Sequence, residues 1–467
     1  MAVRDDNVKA VTDLLLKGPL GSSAIAQSVK ISQPTFSRLW ELVENGVVFG
    51  SARARKYALE RVIPSVTSPI PIFRVSANGK VSPIGTMLPV QGGQNVVTLN
   101  ASGALSKQDI SYFRGLPYFL SDLKPSGFLG RAEPARHQDL AMPDDILSWT
   151  DDHLLIYLTK RGENGAGDIL IGSESYARFL NHKKSNLSDE AVPVGDRAIH
   201  YPVMASLAMQ GDPPGSSAGG EQPKFTALVA HLNDEFKHVI VKFSPDINTL
   251  NGRRWADLLF CENIALQVLK KYHIDSAESS IIESGNRVFL EVVRFDRTGM
   301  FGRSPMVTFA GIDGDLGMLD QSWSHVANVL HKSGKLTLRD KQTVEILDLF
   351  GALIGNTDRH PGNIACAWAF DGNFKLLPCY DMLPMFYRPN QHGEIIARKW
   401  DARNAWRLEL SHLPICFAMA QNFWHNVLSE ESIGDDFKEV AVRHLSALEA
   451  INPEKDEMEE ISLEKPH

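Results

Sequence analysis

The sequence has few of the residues that mark secreted, zinc-binding or membrane proteins. Four cysteines occur in 467 residues, and no two of them have zinc-ligand spacing, so we expect reduced, buried thiols. No apolar run approaches the roughly 18 residues that a transmembrane helix needs. Asp5, Asp6 and Asp13 interrupt the start of the chain, which argues against a secretory signal and predicts a cytoplasmic protein without a membrane partner.

The chain also lacks a surplus of positive charge. Its formal net charge is -8, which argues against a protein that coats nucleic acid over its whole surface. What it does contain is 43% hydrophobic and 22% charged residues, a composition typical of globular proteins. At roughly 100 to 200 residues per domain, the length predicts about two to four folding units.

Residues 1–62 have the pattern of a small DNA-binding domain. Apolar residues at helical spacing predict two short helices, and Ser32 followed by Pro34 is typical of the start of a third. A strand and the basic hairpin 53–57 follow, as in a winged helix-turn-helix, whose third helix enters the major groove while the wing meets phosphates. The alternative is a three-helix module that docks a protein. The candidate DNA-binding residues are Gln33, Thr35, Ser37, Arg38, Arg53, Arg55 and Lys56.

A domain boundary is predicted after this first domain. Residues 63–72 are rich in proline and serine, which is typical of a linker. Short strands are predicted beyond it, over 72–75, 81–84 and 95–99, and the second half continues as mixed strands and helices.

The strongest chemical signal lies in residues 357–363. Asp358 and Asn363 have four residues between them, the spacing by which a protein-kinase loop supplies a catalytic base and a magnesium-binding amide. Two strand-like runs around Gly372 then predict a hairpin. Asn363 and Asp381 lie nine residues before and after Gly372, so an in-register hairpin would bring both to one end, where they could share Mg²⁺. The alternative for Asp381 is a turn cap.

Upstream, a hydrophobic strand over 238–243 contains Lys242. A central strand rarely buries an unpaired lysine, so we predict ATP phosphates as its partner, with an edge-strand lysine facing water as the alternative. The following helix offers Asp257 and Glu262 as anchors, and the sequence does not choose between them. The small residues of 215–224 allow a backbone close to an anion but match neither a Walker A motif nor a dinucleotide fingerprint; a flexible linker is the alternative.

A further strand over 287–293 runs into the charged turn 294–297. We expect this segment to line an adenine slot, with Val293 and Phe295 as the candidate contacts. Each element alone is a weak signal. The order of glycine-rich loop, strand lysine, acidic helix, hinge strand, Asp-x-x-x-x-Asn, hairpin and Asp is much less expected by chance.

From about Ile70 to Ile451 the chain resembles the HipA-type serine/threonine kinase toxins of bacterial toxin-antitoxin systems, in the YjjJ-type arrangement with a fused amino-terminal domain. The resemblance implies an α+β fold, in which a bilobal protein-kinase-like HipA fold follows a small winged helix-turn-helix domain. The matching motifs are Gly115-Leu116-Pro117-Tyr118-Phe119, Ser216-Ser217-Ala218-Gly219, Val241-Lys242, residues 291–297, residues 357–363 and Tyr380-Asp381-Met382-Leu383. The implied division is 1–62 DNA-binding, 63–200 HipA-like amino-terminal subdomain, 201–300 nucleotide-binding lobe, 301–451 helical lobe and 452–467 acidic tail.

The resemblance also implies roles for individual residues. Asp358 is then the catalytic base, Asn363 and Asp381 hold Mg²⁺, Lys242 binds ATP phosphates, and His360 lies near the nucleotide. Ser216 is the first candidate for autophosphorylation and Ser217 the second. Further nucleotide contacts are expected from Ser217, Ala218, Gly219, Val293 and Phe295.

Two features depart from the family pattern. The glycine-rich loop has one extra residue before Gln222, which leaves open both its phosphate contacts and the regulatory serine. The fused first domain is the second departure, since family toxins usually leave DNA binding to a separate antitoxin. Our hypothesis is that this domain binds operator DNA. A homodimer on paired half-sites is a further expectation.

Three functions compete. The first is a Mg·ATP-dependent protein kinase that arrests growth by phosphorylating a translation component, since the family's targets include tRNA-charging enzymes. The second is a transcription regulator whose inactive kinase fold senses a nucleotide. The third is a metal-dependent hydrolase built on Asp358, His360 and Asp381. The presence of base, lysine and both metal ligands favours the kinase, and a single histidine disfavours the hydrolase.

Overall fold

The computed structural model describes residues 2–50, 55–100, 108–185, 190–210, 222–316, 322–369, 372–401 and 410–450. The chain divides into two compact units. Within the described ranges, none of the helices combines the length and the apolar character that crossing a bilayer would require. The first unit consists of Met1–Ser76, Lys80–Lys124 and His137–Ser185, and the second of Ala77–Gly79, Pro125–Arg136 and Asn186–His467.

Three helices and a hairpin begin the first unit. The Ser32 hydroxyl accepts a hydrogen bond from the Thr35 backbone N–H at 3.2 Å, so the predicted cap of the third helix is present. Tyr57 of the hairpin packs edge-on against Phe36 and Trp40, with ring centroids 4.9 Å apart in both pairs. The elements are α1 (Ala2–Leu15), α2 (Ser22–Val29), α3 (Gln33–Trp40), β1 (Gly46–Phe49) and β2 (Lys56–Leu59), and β1 pairs antiparallel with β2.

The rest of the first unit is an antiparallel sheet with helices. Its elements are β3 (Ile70–Val75), β4 (Val81–Val90), β5 (Gln94–Asn100), β6 (Gln108–Arg114), α4 (Tyr118–Ser121), α7 (Asp151–Arg161), β7 (Ile169–Ile171) and α8 (Ser173–Lys184), numbered in chain order. The strand order is β6-β5-β4-β3-β7. The three strands predicted here are confirmed in position. The linker predicted over 63–72 is wrong at its end, because Ile70 and Ile72 are buried apolar residues of β3.

The second unit contains a five-stranded sheet beside a long helix. Its first elements are α5 (Gly127–Arg131), α6 (Glu133–Arg136), β8 (Val192–Pro193), α9 (Arg197–Gln210), β9 (Lys224–Ala230), β10 (Phe236–Phe243), α10 (Leu250–Lys271), β11 (Ser279–Ser284) and β12 (Arg287–Val293). The order is β11-β12-β10-β9-β8, antiparallel except for the β8–β9 pair. Lys242 therefore lies on the central strand β10, and the edge-strand alternative is wrong.

The remainder of the second unit is mainly helical. Its elements are β13 (Arg297–Thr298), β14 (Gly302–Arg303), β15 (Val307–Thr308), α11 (Phe309–Leu316), α12 (Trp323–Lys332), α13 (Leu338–Leu353), β16 (Ala365–Trp368), β17 (Phe374–Leu376), α14 (Leu413–Ser429) and α15 (Asp435–Glu449). Phe350 of α13 packs edge-on against Phe423 of α14, and Trp424 packs against Phe437 of α15. This aromatic core supports the end of α13, from which the 357–363 loop departs.

Candidate active site

The Lys242 amine joins strand β10 to two carboxylates. Its Nζ lies 2.6 and 2.7 Å from the carboxylate oxygens of Glu262 and 2.5 Å from Oδ1 of Asp381. Of the two predicted anchors, the structure selects Glu262. Asp257 lies five residues earlier on α10, which rotates it by roughly 140° away from Glu262, and its carboxylate accepts the Gly434 backbone N–H at 2.9 Å instead.

The charges of this cluster act on one another, and burial raises the pKa of Glu262 although Lys242 lowers it. Burial would lower the pKa of Lys242, but the charges of Asp381 and Glu262 raise it above its ordinary value. Burial would raise the pKa of Asp381, yet Lys242 and then Lys224 bring it below its ordinary value. The amine is therefore protonated and the Asp381 carboxylate ionised at neutral pH. Lys224 stands opposite Lys242 in the β9–β10 ladder and adds a second cation that we had not assigned to the site from the sequence.

Asn356 and Arg359 anchor the 357–363 loop to the core. The Asn356 side chain is buried and its Oδ1 accepts the Asp358 backbone N–H at 2.9 Å. The Arg359 guanidinium donates to the buried Asp348 carboxylate at 3.0 Å and to the Asn356 carbonyl. Asp348 also accepts the Ser324 backbone N–H and hydroxyl. None of these anchors was predicted. These contacts fix the loop to the core, while the Asp358 side chain is half-buried.

Asn363 faces the candidate base. Its Nδ2 donates to the Asp358 carbonyl at 2.8 Å and approaches the Asp358 carboxylate at 3.4 Å. His360 is exposed, and its Nδ1 accepts the Gly362 backbone N–H at 3.0 Å. A hydrogen bond from the Tyr380 hydroxyl to the Gly362 carbonyl brings the neighbouring Asp381 close to this loop. The structure therefore brings the predicted base, amide, histidine and metal carboxylate into one neighbourhood.

The hairpin does not bring Asp381 to the site in the predicted way. Strands β16 and β17 pair Trp368 with Phe374, so the register is centred one residue before Gly372. Strand β17 then ends at Leu376, and the Cys379 backbone N–H donates to the Asp275 carbonyl at 2.9 Å. The in-register ribbon is therefore wrong, because the chain leaves β16 and pairs with the segment that follows α10 before it reaches Asp381.

Tyr380 ties the Asp381 segment to its neighbours. Its hydroxyl donates to the Gly362 carbonyl at 2.9 Å, and its ring centroid lies 5.7 Å from that of Phe295. Val293 ends β12, where its backbone N–H donates to the Glu278 carbonyl at 2.8 Å. Of the two candidate adenine contacts, Val293 is therefore the last residue of β12 and Phe295 lies two residues beyond it, in contact with Tyr380 of the Asp381 segment. The candidates Ser216, Ser217, Ala218 and Gly219 lie outside the described residues, as does Arg53.

The donor set near Asp381 fits a magnesium ion. The Asp381 side chain is 29% exposed, and only its Oδ1 is engaged by Lys242. Asn363 offers an amide oxygen as a second hard donor. Mg²⁺ is usually held by one or two protein oxygen ligands together with substrate phosphates, which matches this pair.

The candidate DNA-binding residues lie in the first unit. Gln33, Ser37 and Arg38 are exposed on α3, and Thr35 on the same helix is half-buried. The Gln33 amide donates to the Ser23 hydroxyl of α2 at 2.7 Å. In the hairpin, Arg55 is exposed and Lys56 half-buried.

Comparisons with known proteins match almost the whole chain. Residues 66–180 match the family model of the YjjJ-like toxin middle domain, and residues 216–446 match that of the HipA-like C-terminal domain. Toxin YjjJ of Escherichia coli strain K12 is 36% identical over 440 residues, covering 92% of this chain and 95% of that protein. The expectation of an α+β, bilobal kinase-like HipA fold is confirmed by these matches.

Two solved structures are also similar. The HipA toxin of Shewanella oneidensis MR-1, solved with HipB and operator DNA, has a TM-score of 0.49 and 15% identity, and the match covers 81% of this chain and 96% of that one. The Helicobacter pylori proinflammatory kinase CtkA has a TM-score of 0.33 and 14% identity over 49% of this chain and 88% of that one. On the evidence of the family models and the Escherichia coli relative, the chain belongs to the YjjJ-like toxins, whose carboxy-terminal part is a HipA-like domain.

Proposed function

We propose that the chain is a Mg·ATP-dependent serine/threonine protein kinase. The observation that carries the proposal is the buried cluster in which Lys242 bonds both Glu262 and Asp381, beside the loop that bears Asp358 and Asn363. A buried lysine bonded to two carboxylates favours a kinase over a metal-dependent hydrolase. Binding of a nucleoside triphosphate needs a fixed cation and a metal-binding carboxylate close to each other.

Each residue then has a role in phosphoryl transfer. Lys242, held by Glu262, neutralises ATP phosphate charge, and Lys224 adds to the positive field. Asp381 and Asn363 hold Mg²⁺, which neutralises charge on the phosphates when it is bound. Asp358 accepts the proton of the serine or threonine hydroxyl as that oxygen bonds the γ-phosphorus, the bond from the γ-phosphorus to the bridging oxygen breaks, and ADP leaves. Positioning and charge neutralisation supply most of the rate in such transfers.

The substrate that we propose is a protein of the translation apparatus, and growth arrest follows from its phosphorylation. Phosphoproteomics after brief induction tests this, with Asp358→Ala as the matched control. We expect sites on translation proteins that appear with the wild type and are absent with the variant. Identical phosphoproteomes would refute the kinase and favour the alternative of a regulator that senses nucleotide. Ser216 and then Ser217 are the proposed autophosphorylation sites, and mass spectrometry of the purified protein tests them.

The first unit is proposed to bind operator DNA. Exposed hydrogen-bonding side chains on α3, with Arg38 beside them and Arg55 in the hairpin, support this. A mobility-shift assay with promoter DNA tests it by comparing the full chain with a version lacking residues 1–62. Undiminished binding by the shortened chain would refute the proposal.

A further inference from the structure

One buried side chain bridges the two segments that carry Asp358 and Asp381. The Asn356 side chain is 1% exposed. Its Oδ1 accepts the Asp358 backbone N–H at 2.9 Å, and its Nδ2 donates to the Asp381 backbone carbonyl at 3.4 Å. The same Nδ2 lies 3.6 Å from the Met382 sulfur. A single amide group therefore connects the loop of the candidate base with the segment of the candidate metal carboxylate.

The two ends of this bridge need different chemistry. A backbone N–H needs an acceptor and a backbone carbonyl needs a donor, and the carboxamide provides both on one planar group. A carboxylate at position 356 keeps the acceptor for Asp358, but it replaces the donor to Asp381 with a second oxygen that repels the carbonyl. An apolar side chain leaves both backbone groups without these partners.

Asp381 is the end of the bridge that most needs support. Its φ is 53°, in the left-handed region that non-glycine residues seldom adopt. Because this conformation costs energy, the segment keeps it only where its surroundings hold it. The contacts that hold Asp381 are the Lys242 amine on its carboxylate and the Asn356 amide on its carbonyl. Asn356 is 1% exposed, so it takes no part in binding a ligand itself.

We infer that Asn356 is a positioning residue that sets Asp381 for metal binding and ties it to the loop of Asp358. This inference rests on the proposed kinase function, because it assigns Asp381 to the metal of bound ATP. Groups that orient a metal ligand typically change metal affinity by about 10–100-fold when they are removed. Among the described residues no hydrogen bond joins Asn356 to Lys242 or Glu262, and Glu262 accepts two hydrogen bonds from Lys242 independently of Asp381. Binding of the nucleotide without metal is therefore expected to be insensitive to Asn356.

Manganese binding measured by electron paramagnetic resonance tests this with the full chain, using Mn²⁺ and a non-hydrolysable ATP analogue. We expect Asn356→Asp to weaken Mn²⁺ binding by about tenfold or more, while the affinity for the analogue without metal changes less than about twofold. Asn95→Asp is the matched control. Asn95 is also fully buried and donates to the Gly115 carbonyl at 2.7 Å, but it lies in the first unit.

The outcomes separate the inference from the proposed function. Wild-type Mn²⁺ affinity in Asn356→Asp would overturn the inference and leave the kinase intact. Equal losses of metal and nucleotide binding, or the same loss in Asn95→Asp, would indicate a merely structural role and would also overturn it. If the wild type binds Mn²⁺ with the analogue but never transfers phosphate, the kinase proposal alone fails. If the wild type binds neither, both fail.

Discussion

Lys242 and Glu262 form a buried ion pair that joins the central strand β10 to helix α10. The amine lies within 2.7 Å of both carboxylate oxygens, and the exposed fractions of the two side chains are 6% and 0%. Without the amine, the Glu262 carboxylate would be buried without this compensation.

Removing the amine is therefore expected to destabilise the protein. We predict that Lys242→Met lowers the free energy of unfolding by about 3–5 kcal/mol, since it leaves the Glu262 charge buried and unpaired. Lys237→Met is the matched control, because Lys237 pairs with the 62%-exposed side chain of Glu278 and should change stability by less than about 1 kcal/mol. Urea denaturation measures both. Similar losses in the two variants would contradict the prediction.

Stability is predicted to depend on pH through His444. This imidazole lies between the rings of Trp400 and Trp424, and Nε2 bonds the Leu353 carbonyl at 2.7 Å. Burial lowers the pKa of His444 from 6.5 to about 3, although the bond to Leu353 raises it. Between these two values the unfolded chain binds the proton and the folded chain does not. The free energy of unfolding therefore falls as the pH drops from 6.5 toward 3.

The contribution of His444 is measured by comparing variants. We expect His444→Gln to flatten the slope of unfolding free energy against pH between about pH 4 and 6 by roughly 1.4 kcal/mol per unit. His425→Gln, at an exposed position on α14, should leave the slope unchanged. An unchanged slope in His444→Gln would contradict the assignment of a buried, neutral imidazole.

DNA binding through the first unit predicts a specific salt response. Arg38→Ala and Arg55→Ala should each weaken binding to promoter DNA and reduce the slope of log affinity against log salt by about 1. Lys9→Ala is the control, since Lys9 is exposed on α1 and belongs to neither the proposed recognition helix nor the wing. Fluorescence anisotropy over a salt series measures the slopes. Variants that bind like the wild type at every salt concentration would exclude this surface.

Local signals predicted much of the fold. Ser32 followed by Pro34 marked the start of α3, and the hydrophobic run over 238–243 located the strand that contains Lys242. These patterns involve residues within one turn or one strand, so the local sequence is sufficient to predict the helix or strand. The three strands after residue 70 were likewise predicted in position, but the buried Ile70 and Ile72 extended the first of them into the supposed linker.

Long-range choices were not predictable in the same way. Whether Asp257 or Glu262 meets Lys242 depends on the rotation of α10 about its axis, which the packing of the whole helix decides. The position of Asp381 depends on the pairing of the nearby Cys379 with Ser276, which follows α10 and lies far away in sequence. The sequence did not indicate a role for Asn356, because asparagine is common before a loop. Its two partners, Asp358 and Asp381, are brought together only by the fold.

Transfer of the γ-phosphate from labelled ATP in the presence of Mg²⁺ tests the central claim most directly. The wild type is predicted to transfer label to protein. Asp358→Asn and Asp381→Asn should each lower the rate by about 100-fold or more, while Glu439→Gln, on the exposed face of α15, keeps it. Label transfer at the wild-type rate by Asp358→Asn, or a folded wild type that transfers none, would contradict the account.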